Sequence, residues 1–175
     1  MKSGYTLIEL LTVIAIIGIL SSLGYSNFHR AVAIARTKDA AYNITAFMEK
    51  IANETRRVND TLCLKKETSN KLIVFKSSCE NVDGNAIRFD SLLIDPPVKI
   101  ITTTDNNGLE GPNFENTDAE FVPRPGVGLS CSPYEGFFEV QYGGMDLYGS
   151  SSKTKHRNSY IPQIKYDGTS SWTKI

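Results

Sequence analysis

Few side chains in this sequence are placed for chemistry, and the most conspicuous is Glu9. It lies inside "YTLIELLTVIAIIGILSSLG", where no other residue from Tyr5 to Gly24 is charged. About 20 helical residues at 1.5 Å each span the ~30 Å hydrocarbon core of a bilayer, so this run is long enough to cross one. A carboxylate left at membrane depth costs a few kcal/mol even on lenient insertion scales, so such a residue usually has a partner and a task. The next candidates are the cysteines at 63, 79 and 131. Cys63 and Cys79 are the nearest pair, and closing their loop of ~15 residues contributes about 3 kcal/mol. That is the expected pairing, with Cys131 left odd, although three cysteines cannot be paired from sequence alone.

The remaining constellations are weak. "DNNGLE" gathers Asp105, Asn106, Asn107 and Glu110 around a glycine, but it lacks the full spacing of a calcium-binding EF-hand loop, and a turn rich in Asn and Gly accounts for it better. His29 and His156 give no metal-site spacing, and no CxxC is present. No metal or cofactor is therefore expected. A nucleophile elbow, a P-loop and an HExxH are all missing from the sequence, and an enzyme is not expected. Near the C-terminus Lys153, Lys155, Arg157, Lys165 and Lys174 are opposed only by Asp167, with Tyr160, Tyr166 and Trp172 among them. Such a set can bind nucleic acid through phosphate contacts and base stacking. A solvated strand-loop-strand face whose rings belong to the core is the favoured account.

The elements that must position these residues follow from pattern. The chain has 175 residues, of which about 25 belong to the apolar start, leaving room for one domain of ordinary size. Nineteen Lys plus Arg balance nineteen Asp plus Glu, so no bulk attraction to nucleic acid is implied. Mean hydropathy is negative despite the apolar start, so only the N-terminal segment reads as lipid-facing. A removed secretory signal would be shorter and would end in a small-x-small cleavage site. Instead the run continues without a turn cluster into "SSLGYSNFHRAVAIARTKDAAYNITAFMEKIANETRRV". There Ile44, Phe47, Met48, Ile51, Thr55 and Val58 recur at three- and four-residue spacing and share one helix face, which should pack on a sheet.

Beyond "RRVND" the period changes from 3.6 to 2. "TLCLKK" and "KLIVFK" around "ETSN" predict a hairpin, and "AIRF", "VKIITTT", "GFFEVQY", "YIPQIKY" and "SWTKI" are further candidate strands. "TTTDNNGLEGPNFENTDAE" is the longest candidate loop. The expected fold is α+β, with a long N-terminal helix packed on a C-terminal antiparallel sheet or two small ones.

From Gly4 to Leu20, "GYTLIELLTVIAIIGIL" closely resembles the class III signal and N-terminal helix of type IV pilins and the related type II secretion pseudopilins. The resemblance is strong over about the first 30 residues and general to about Val58. It implies that a prepilin peptidase cuts after Gly4 on the cytoplasmic face and methylates the new amino terminus on Tyr5. It implies a leader at 1–4, the transmembrane part of the helix at 5–25, its soluble part at 26–58 and a β-rich head at 59–175. In assembled filaments of this family the position matching Glu9 neutralises the N-terminal amine of a neighbour. The partners implied are the peptidase, other pilin or pseudopilin subunits and an inner-membrane assembly platform. The implied location is the inner membrane, single pass with the head outside the cytoplasm, and then the filament. Two residues depart from the common pattern. Tyr5 stands where the family most often has Phe, and Ser26 where many pilins have a proline near the end of the span. The helix followed directly by a hairpin with a Cys in its first strand looks like the H-type minor pseudopilins and related minor pilins. The rival of another class is a DNA-binding minor pilin, with Lys153, Lys155 and Arg157 as its contacts, and a third, less favoured reading is a membrane-anchored enzyme.

Overall fold

The computed structural model describes residues 6–82, 86–101, 118–126, 128–132, 137–143, 148–153, 161–166 and 173–174, with backbone alone from 148 onward and at Leu23 and Ser26. One helix, α1 (Leu7–Val58), runs without interruption for 52 residues, about 78 Å at 1.5 Å per residue. It ends at Asn59, which adopts the left-handed conformation at φ 52°, a state that Asn enters more readily than most residues.

Among the described residues, ten strands follow in two antiparallel sheets. β1 (Leu62–Thr68), β2 (Lys71–Phe75), β3 (Arg88–Leu93), β5 (Ala119–Arg124) and β6 (Gly128–Ser132) form a sheet in the order β3-β2-β1-β5-β6. β4 (Val98–Ile101), β7 (Phe138–Tyr142), β8 (Tyr148–Lys153), β9 (Ile161–Tyr166) and β10 (Thr173–Lys174) form the other, in the order β10-β9-β8-β7-β4. The fold is therefore α+β, with the C-terminal part of one helix laid against antiparallel sheets.

The core lies between α1 and the inward faces of these sheets. Leu62, Leu64, Leu72, Val74, Phe121 and Leu129 from the first sheet, and Val98, Ile100, Phe138, Val140 and Tyr142 from the second, meet a helix face made by Ala33, Ala40, Ala41, Ile44, Phe47, Met48, Ile51 and Ala52. Small residues dominate the N-terminal end of that face and let the sheet approach closely. The hydroxyls of Thr37, Thr45 and Thr55, buried in the same stripe, donate to the carbonyls of Ala33, Ala41 and Ile51 at 2.9, 2.9 and 2.8 Å, which keeps them satisfied away from water. Val58, expected on this face, is only half-buried at the helix end.

The predicted hairpin is β1–β2, with Leu64 opposite Val74. All the other candidate strands contain or overlap an observed one. Three strands were not expected. β5 carries Pro123, but its pairs with β1 stop at Phe121, so the proline lies where only β6 is a neighbour. β6, "GLSCS", and β8, "YGSSSK", are too small and polar to show an alternating pattern. The expected loop 102–120 gives its last residues, Ala119 and Glu120, to β5; residues 102–117 lie outside the described residues.

Candidate assembly site

The helix start supplies both the site and its surroundings. Thr6 is the N-cap, extended at φ −77° and ψ 151°, and Glu9 is three residues on, so the two form a reciprocal capping box. The Thr6 backbone N–H donates to Glu9 Oε2 at 2.8 Å, and the Thr6 hydroxyl donates to the same oxygen at 2.9 Å. The Glu9 N–H in turn donates to Thr6 Oγ1 at 3.3 Å. A helix leaves its first N–H groups without intrahelical acceptors, and its N-terminus carries partial positive charge, so a carboxylate is favoured there twice over. The signal was present in the sequence as Thr-x-x-Glu directly before an apolar run.

Glu9 forms no ion pair among the described residues. Around and beyond it, Leu7, Ile8, Leu10, Leu11, Val13, Ile14, Ile16, Ile17, Ile19 and Leu20 are all exposed. This part of α1 is long and apolar enough to cross a membrane, and none of it is covered by the head. What the geometry offers is a carboxylate held at the tip of an apolar rod, with every side of the rod open to lipid or to further helices. Gly4 and Tyr5 lie outside the described residues.

A disulfide joins Cys63, in β1, to Cys79, in the short 3-10 turn Cys79–Asn81. Their sulfurs and the carboxylate of Asp118 lie within 4.8 Å of one another, but the sulfurs are bonded to each other and Asp118 accepts from Lys65 at 2.9 Å, which leaves no open metal cage. Cys131 is a buried free thiol, and burial pushes its pKa up to about 12, so it stays protonated and unreactive at neutral pH.

Ion pairs fasten the head. Lys50 of α1 reaches Asp90 of β3 at 2.7 Å, a bond that holds the lysine pKa above its usual value. Glu67 accepts from Lys71 and Arg88 at 2.7 and 2.9 Å, and these cations hold its carboxyl below its usual value. A cleft of about 430 Å³ opens between α1 and the β3–β4 connection, lined by Arg36, Asp39 and Asn43 on one side and Asp95 and Pro96 on the other. Its described lining contains no nucleophile beside a base.

The basic C-terminal set is not brought together by anything described. The Lys153 backbone ends β8, opposite Ile161 of β9, while Lys155 and Arg157 lie outside the described residues, as do Asp105, Asn106, Asn107 and Glu110.

Residues 1–25 match the family model of the prokaryotic N-terminal methylation motif. That match supports a likeness to type IV pilins and pseudopilins over the N-terminal part of α1, the part long and apolar enough to cross a membrane. No curated protein and no solved structure matches the chain.

Proposed function

We propose that this chain, which carries the N-terminal methylation motif of type IV pilins and pseudopilins, is a minor structural subunit of a pilus or secretion pseudopilus. It is cut after Gly4, methylated on Tyr5 and stored in the inner membrane through residues 5–25, with residues 26–58 and the head 59–175 outside the cytoplasm. An assembly platform then draws it into a filament of pilin or pseudopilin subunits. There Glu9 pairs with the amine of a neighbour's Tyr5, which lowers the cost of burying both charges and sets the register between helices.

The observation that carries this reading is Glu9 itself, a carboxylate within an apolar surface that the head leaves wholly uncovered and whose described partner is its own Thr6. Replacing Glu9 with Ala should leave cleavage and membrane insertion intact and reduce incorporation into filaments about tenfold or more, since removing one partner strands the other charge in the bundle. Quantifying the variant in membranes and in sheared filaments separates these steps. Normal incorporation of Glu9→Ala would refute the role.

A further inference from the structure

Past the apolar rod, α1 changes character within one turn. Tyr25 and Phe28 are each 70% exposed, and Arg30 is the first cation after Lys2. The His29 ring stands 6.1 Å from that of Tyr25 and meets the ring of Tyr142 edge-on at 6.2 Å. The head begins at once, with Val32 half-buried and Ala33 buried. Tyr142 ends β7 beside Gly143, whose N–H donates to the Pro97 carbonyl at 2.9 Å. A Cβ on Gly143 would stand 3.0 Å from that oxygen, so the rim of the second sheet is closed tightly where it meets the helix. Four residues separate Tyr25 from His29, a rise of about 6 Å.

We propose that Tyr25, Phe28, His29 and Arg30, backed by the buried Tyr142 ring, form a collar seated in the outer headgroup layer of the phospholipid bilayer while the subunit is stored. This rests on the membrane-anchor reading of α1. A headgroup layer is about 5–7 Å deep on each side, the difference between a ~30 Å core and a 40–45 Å bilayer, and the collar has that height. Tyrosine places an apolar ring against acyl chains and its hydroxyl among headgroups, the arrangement enriched at membrane interfaces. Arg30, one turn above Ser26, can form charge-assisted bonds to lipid phosphates. A second copy lying alongside in register would offer no carboxylate there, because the helix from Leu7 to Ala35 contains only Glu9.

The collar also sets depth. Sixteen residues separate Tyr25 from Glu9, about 24 Å along the axis, which puts Glu9 inside the hydrocarbon roughly 6 Å from its inner boundary. At that depth the Thr6 donors replace water around the carboxylate in the stored subunit.

Tryptophan quenching tests the collar in the full-length protein. The sole tryptophan, Trp172, is changed to Phe, and Phe28→Trp or Ile14→Trp is added. Each variant is placed in phosphatidylcholine–phosphatidylglycerol vesicles brominated at shallow or deep acyl positions. Ile14→Trp should be quenched about twofold more by deep bromines, and Phe28→Trp about twofold more by shallow ones. Tyr25→Trp gives an independent reading should the change at Phe28 disturb folding, again with shallow quenching expected. Shallow probes unquenched beside a deeply quenched Ile14→Trp would overturn the collar and leave the anchor standing. Deep quenching of both shallow probes would equally overturn it, and so would a shield over them that is lost on dilution in lipid, since that assigns the face to a second copy. An unquenched Ile14→Trp would remove the anchor and the collar together.

Discussion

Glu9 has a donor set three residues away, and this sets what its replacement does at the residue scale. Both Thr6 donors converge on one carboxylate oxygen, so Thr6 positions Glu9 as well as starting the helix. Thr6→Ala keeps the backbone donor and loses the hydroxyl, which costs about 1 kcal/mol and should speed amide exchange in the first helical turn roughly fivefold, while Thr6→Ser should restore protection. Hydrogen exchange on the protein in micelles measures this, and unchanged protection in Thr6→Ala would show that the cap does not hold. The box was legible as Thr-x-x-Glu. Its N–H and hydroxyl donors carry no formal charge, so the box partners Glu9 without a cation.

At the scale of elements, α1 does two jobs with one continuous backbone, and composition divides them. From Leu7 to Gly24 it carries no charge except Glu9 and its described side chains are exposed, whereas its second half buries a stripe of Ala, Thr, Ile, Phe and Met under two sheets. That division, the helix face from Ile44 to Thr55 and the β1–β2 hairpin were legible, since each depends on local periodicity. β5, β6 and β8 were not. Their identity comes from neighbours: β5 is held between β1 and β6, and β8 between β7 and β9, so pairing partners supply what a proline or a run of serines denies them. The disulfide belongs to this scale as well, because it fixes the 3-10 turn Cys79–Asn81 to β1 through a sequence separation of 16 residues. Changing both Cys63 and Cys79 to Ala should lower stability by about 3 kcal/mol, read as a lower midpoint of thermal unfolding in detergent. An unchanged midpoint would mean that the link adds nothing to the hairpin's own packing.

For the whole molecule, the arrangement is a head clamped on the far half of a long helix, with the near half left free to exchange lipid for other helices. The methylation motif falls on that uncovered apolar half, and under the proposed function it is the half that is processed and that packs in the filament. Under the proposed function the working protein begins at Tyr5 and enters filaments through this helix. Mass spectrometry of the N-terminal peptide from sheared filaments tests it most directly. The expected peptide starts at Tyr5 and carries one methyl group on its amine; a filament subunit that still begins at Met1 would contradict the account.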